Sequence, residues 1–82
     1  MKRLVIMATL RSGDVVTVMR LNLESHGCIG RRPRPGDTGR VRHVIEENGQ
    51  VTYIVECQRP DGSEEWLCDF DEGDLAVKKS GS

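Results

Sequence analysis

Aromatic rings are scarce in this chain: its 82 residues include one Trp (Trp66), one Tyr (Tyr53) and one Phe (Phe70). Unpaired bases are usually held by stacking on exposed rings, so this composition argues against single-stranded nucleic-acid binding of that kind. It also leaves Val, Ile and Leu to fill most of the core. Cysteine is sparse too. Cys28, Cys57 and Cys68 contain no Cys-x-x-Cys pair, which predicts reduced thiols in a cytoplasmic protein. No apolar run is long enough to cross a bilayer. The opening "MKRLVIMATLRSG" carries a short apolar run, Leu4 to Leu10, that stops at Arg11 with no small-residue cleavage site behind it. It reads as a first β-strand and not as a signal segment. No segment sustains a 3.6-residue apolar period, which excludes a helical domain.

What is present is β-strand chemistry punctuated by turns. Residues 14–21, "DVVTVMRL", form a strand rich in β-branched residues. Residues 22–36, "NLESHGCIGRRPRPG", hold three glycines and two prolines and read as one long loop. A loop of that length is more often functional or mobile than incidental. "DTGRVRHVIEE" follows as a strand, with a bulge or bend expected at Gly39. Asn48-Gly49 is the favoured two-residue hairpin turn, and "VTYIVECQ" returns as its partner with Val51, Tyr53, Val55 and Cys57 facing inward. Asp61-Gly62 makes a second turn before "EEWLCDF", in which Trp66, Cys68 and Phe70 alternate. "DEGDL" is a short turn with room for one 3₁₀ turn, and residues 75–79 close the chain. The predicted architecture is all-β: a small antiparallel barrel of five to six strands over residues 1–79, with 80–82 as a flexible tail. A core this small makes oligomerisation an ordinary way to bury more surface.

Several of these segments together resemble the small SH3-like barrels. The likeness rests on Gly36-Asp37-Thr38-Gly39-Arg40-Val41, Tyr53-Ile54-Val55-Glu56, the Asp61-Gly62 turn, and Phe70 with Leu75. It is similar in particular to an uncharacterised bacterial family of short barrels, and it spans residues 13–78. More distantly it resembles the KOW-type barrels of ribosomal and transcription proteins, although it lacks their Lys-Gly at the turn. It also resembles accessory barrels related to the nitrile hydratase beta subunit. The resemblance implies a domain that docks on a partner and carries no chemistry of its own, or else an RNA-binding module.

Charge is unevenly spread. Residues 1–42 carry a net +6 and residues 43–82 a net −7. The cations concentrate at Arg31, Arg32 and Arg34 in the loop and at Arg40 and Arg42 on the following strand. These five guanidinium groups suit a carboxylate-rich partner or phosphates. The alternative is internal pairing with Glu46, Glu47, Glu64, Glu65 and the acids of residues 69–74. Ile29 offers an apolar anchor beside them.

Other constellations carry less. "DFDEGD" supplies only a fragment of a calcium loop. His26, Cys28, His43, Cys57 and Cys68 match no paired-ligand spacing, so no metal or cofactor is expected. Cys28 has no nucleophile signature around it, and no catalytic residue is assigned. The expectation is a non-enzymatic interaction or accessory module, capable of self-association, with Arg31, Arg32, Arg34, Arg40, Arg42 and Ile29 as its contact residues. RNA or ribonucleoprotein binding is the alternative.

Overall fold

A computed structural model describes residues 8–21, 27–79 and 81. Six strands form one antiparallel sheet: β1 (Val15–Val18), β2 (Cys28–Gly30), β3 (Thr38–Glu47), β4 (Gln50–Gln58), β5 (Glu64–Asp71) and β6 (Leu75–Lys79). A single 3₁₀ turn, Glu72–Asp74, links β5 to β6. The strands lie side by side in the order β2-β5-β4-β3-β1-β6. β2 and β6 are the two edges and do not pair with each other, so the hydrogen-bonded ladder is open.

The β3–β4 hairpin forms where the sequence asks for it. Asn48 and Gly49 both adopt positive φ (51° and 77°), the geometry that lets a two-residue turn match the twist of its strands. One face of the sheet is the core. Val16, Val18, Val41, Tyr53, Val55, Trp66, Cys68 and Phe70 are all buried there, with Leu10, Val51 and Leu75 at its margins. Strict alternation along β4 and β5 produces this face, as expected for strands with one side turned from water. Trp66 and Phe70 meet edge to face at 5.9 Å.

Several elements differ from the sequence reading. The expected first strand falls mostly on residues 1–7, outside the described residues; residues 8–10 are irregular, and Leu10 is buried beneath Tyr53. The Tyr53 hydroxyl accepts hydrogen bonds from the Thr9 and Leu10 amides (3.1 and 3.3 Å), which supplies the buried phenol with partners. β1 is shorter than residues 14–21, ending at Val18, and the Met19 amide carries its contact one residue further by donating to the Asp74 carbonyl (2.8 Å). The loop is not structureless: Cys28–Gly30 forms β2, paired with β5 through Cys28–Cys68, Ile29–Leu67 and Gly30–Trp66.

The cysteine expectation is corrected most directly. Cys28 and Cys68 sit opposite one another on β2 and β5 and are joined by a disulfide. Cys57 is the free thiol, diagonal to Cys68 because it pairs with Trp66. The spacing of the cysteines gave no sign of this, since the pairing arises only when β2 docks on β5. Gly81, assigned to a flexible tail, has its amide donating to Asp14 Oδ1 at 2.9 Å.

Candidate functional site

Two valines, Val41 and Val44, turn toward the core from β3 although two residues separate them. Simple alternation inward from Val44 would drive Arg42 and Arg40 into the interior. The strand avoids this with a bulge: the register against β4 slips between Val41 and His43, leaving Arg42 as the extra residue. The slip reverses the phase, so Gly39 and Val41 are buried while Arg40, Arg42 and His43 are exposed. The bulge therefore lies at Arg42 and not at Gly39. Gly39 has another reason to lack a side chain. A Cβ there would meet Val55 Cγ1 at 2.7 Å, Trp66 Cη2 at 2.9 Å and the Glu56 carbonyl at 3.0 Å.

Arg40 and Arg42 line one open groove of about 250 Å³, together with Val15, Thr38, Gly39, Glu56, Cys57 and Gln58. Arg40 Nη1 donates to the Gly13 carbonyl (2.9 Å), which steadies the side chain while leaving most of the guanidinium fork free. Arg42 Nε lies 3.6 Å from Glu56 Oε1, and Gln58 Nε2 donates to the same oxygen at 3.3 Å. Arg42 is half exposed (53%) in this pair, so the contact is weak and an incoming carboxylate can compete for it. Glu64 stands beside Glu56, and that neighbouring carboxylate raises its pKa above the ordinary value.

The loop arginines divide into two kinds. Arg31 is turned to the protein's own acids. Its Nε donates to Glu65 Oε2 (2.7 Å), Nη2 reaches the same oxygen, and Nη1 donates to Asp37 Oδ2 (3.0 Å). Asp37 Oδ2 also accepts the Arg34 amide (2.9 Å). Burial pushes the Asp37 pKa up, but the Arg34 amide and the Arg31 guanidinium outweigh it and hold the carboxyl below its usual value. Pro33 is buried and anchors the loop. Arg32 and Arg34 remain exposed, as does Ile29 (63%) on β2. The structure thus brings Arg40 and Arg42 together, uses Arg31 as a latch, and leaves Arg32, Arg34 and Ile29 on the loop surface.

Cys57 lies between the latch and the groove. Burial raises its pKa, and the charges of Glu65 and Asp37 raise it further, so the thiol stays protonated and is a poor nucleophile. Cys28 is held in the disulfide and has no free thiol. His43 is exposed, and His26 lies outside the described residues. Among the described residues no group of three or more His, Cys, Asp or Glu is placed to hold a metal ion. The acids of "DFDEGD" have another use. Asp74 is buried, its Oδ1 accepting from Arg20 Nε (3.0 Å) and its Oδ2 from the Asp71 amide (3.2 Å), a capping arrangement for the 3₁₀ turn.

Sequence reasoning missed Glu56, Gln58 and Thr38, which line the same groove as Arg40 and Arg42. The Asn48-Gly49 turn gave the pairing as far as His43, but the bulge shifts Glu56 opposite Arg40. The signal was available in "VRHV", where two polar residues separate two valines. No family model matches the chain, and no curated protein or solved structure matches it. Among the described residues no helix is long and apolar enough to cross a membrane.

Proposed function

We propose that the chain is a non-enzymatic protein-interaction or accessory module of the small SH3-like barrel type. In this reading its contact surface takes a carboxylate-rich segment of a partner protein. β1 pairs with both β3 and β6, so the last strand returns beside the first described one. This supports a small-barrel arrangement, while the edges β2 and β6 do not pair with each other. The Cβ position of Gly39 on β3 touches Trp66 on β5 across the intervening strand, consistent with a sheet curled around its core.

The observation that carries the functional reading is the bulge that turns Arg40 and Arg42 together into an open groove beside Gln58 and Thr38. Arginine forks favour charge-assisted hydrogen bonds to carboxylates, which supports this reading. RNA is the less favoured partner because Trp66, Tyr53 and Phe70, the chain's three rings, are all buried and none is free to stack a base.

The test is fluorescence anisotropy of a labelled Glu-rich peptide against the wild-type chain and an Arg40→Glu/Arg42→Glu variant. Binding by the wild type, weakened at least about tenfold in the variant, is expected from the loss of two charge-assisted contacts. Equal affinity for both proteins sinks the assignment. Binding of an oligouridylate in place of the peptide, falling steeply with salt, transfers the site to RNA.

A further inference from the structure

The β3–β4 hairpin extends well past the rest of the sheet. β1 pairs with β3 only at Thr38, Gly39 and Arg40, and the last backbone bonds on that side join Val41 to Gly13 and Asp14. Beyond the bulge, from His43 to Glu47, β3 pairs among the described residues only with β4. Its other edge presents unpaired backbone groups among the described residues, and such an edge is a template for another strand.

The outermost strands of the sheet, β2 and β6, are the obvious alternatives for that role. β2 is three residues long and fixed in place by the disulfide and the Arg31 latch. β6 is longer but ends in Lys78 and Lys79, the residues that commonly blunt an edge. The β3 overhang contains neither Lys nor Pro. It also carries Ile45, 40% exposed, on the outer face between His43 and Glu47.

We propose that two copies of the chain associate edge to edge along His43–Glu47, antiparallel and centred on Ile45. A two-fold axis perpendicular to the paired strands requires a residue to lie opposite a side chain of the same face. Centring on Ile45 meets that condition, and it sets Ile45 against its own copy. Each His43 then faces the other copy's Glu47. An axis at Val44 would set His43 against Ile45, and one at Glu46 would set acid against acid; the axis at Ile45 gives an apolar centre flanked by an imidazole–carboxylate pair at each end. This surface is separate from the Arg40/Arg42 groove, so the two proposals stand or fall independently.

Sedimentation equilibrium at concentrations up to about 1 mM tests it, a range that detects association free energies near the weakest that count as binding. The expected result is a monomer–dimer equilibrium. His43→Glu faces acid with acid at both ends and raises the dissociation constant about tenfold, as two lost cross-strand pairs imply. The swap His43→Glu/Glu47→Lys restores it. Ile45→Lys gives a monomer, while Val77→Lys on β6 leaves dimerisation unchanged. Circular dichroism confirms that each variant is folded.

A chain that stays monomeric throughout overturns the proposal, as does a dimer indifferent to both His43→Glu and Ile45→Lys. Loss of the dimer on Val77→Lys moves the interface to β6 and overturns it equally. A monomer that dimerises only after deletion of residues 1–7 means that the chain covers this edge itself, and that result also rejects the proposal.

Discussion

Gly39 shows how much one missing side chain decides. Its position on β3 faces Val55, Trp66 and the Glu56 carbonyl so closely that any Cβ must displace one of them. Gly39→Ala is expected to destabilise the fold by about 1–3 kcal/mol, the usual cost of overpacking a filled core; a urea melt with an unchanged midpoint contradicts this. Arg31 is the other residue with a decided role. It bridges Glu65 and Asp37 at about one-third exposure, so solvent screens the contact and Arg31→Ala is expected to lower the urea midpoint only slightly; loss of the folded state contradicts this. The sequence presented five arginines as equivalent. The structure separates this one because Asp37 and Glu65, distant in sequence, converge on it only after β2 docks. Cys57 makes a chemical prediction: with its pKa raised by burial and by nearby acids, it is alkylated by iodoacetamide at neutral pH more slowly than Cys57 in the unfolded chain. Equal rates contradict the buried, acid-flanked environment.

At the level of elements, the hairpins were the most legible. Asn48-Gly49, Asp61-Gly62 and the alternation in β4 and β5 are local signals, and each produced the expected turn or face. Three features escaped. The bulge at Arg42 is a local slip whose reason, keeping two arginines out of the core while two valines enter it, depends on the opposing strand. β2 was hidden because all three of its residues are exposed; a strand with no buried side chain leaves no hydrophobic pattern to read. The disulfide escaped for the same reason. It ties β2 to β5 where no apolar side chain of β2 does so. Reduction is therefore expected to lower stability by about 2–4 kcal/mol and to speed amide exchange at Ile29, Gly30 and Arg31 ahead of the rest of the sheet. Denaturant midpoints and exchange rates unchanged by reductant contradict that role.

For the whole molecule, the division of charge along the chain becomes a way of joining its halves. Arg20–Asp74, Arg31–Glu65 and Arg42–Glu56 each link a cation from residues 1–42 to an acid from residues 43–82. Of the five arginines that suggested a binding surface, Arg31 and Arg42 are thus engaged internally, and Arg32, Arg34 and Arg40 are the three without an ion pair among the described residues. Stability follows pH accordingly. Hydrogen bonds from the Arg11 and Gly81 amides lower the Asp14 pKa, and Asp37 is lowered against its burial. For Glu72, burial raises the pKa, but the bonds from Tyr53 and Thr9 outweigh it. Carboxyls with lowered folded-state pKa values contribute fully above their unfolded values, near pH 4, and lose that contribution as the pH falls through the folded ones. Tyr53 works in the opposite direction. Burial and the Glu72 carboxylate raise its pKa, so its contribution is complete below about pH 10 and declines above it. Cys57, raised by burial and by Glu65 and Asp37, begins to decline earlier, above about pH 8.5. The melting temperature is expected to be level between these limits and to fall on both sides; a maximum below pH 4 contradicts the assignment.

Under the proposed function, the groove lined by Arg40 and Arg42 takes carboxylates of a partner protein. Amide NMR titration with a Glu-rich peptide tests it most directly, because each strand position reports separately. The account predicts saturable shifts centred on Thr38, Arg40, Arg42, Glu56 and Gln58, with the hairpin tip at Asn48 and Gly49 unmoved. No saturable shift, or shifts confined to residues outside this groove, contradicts it.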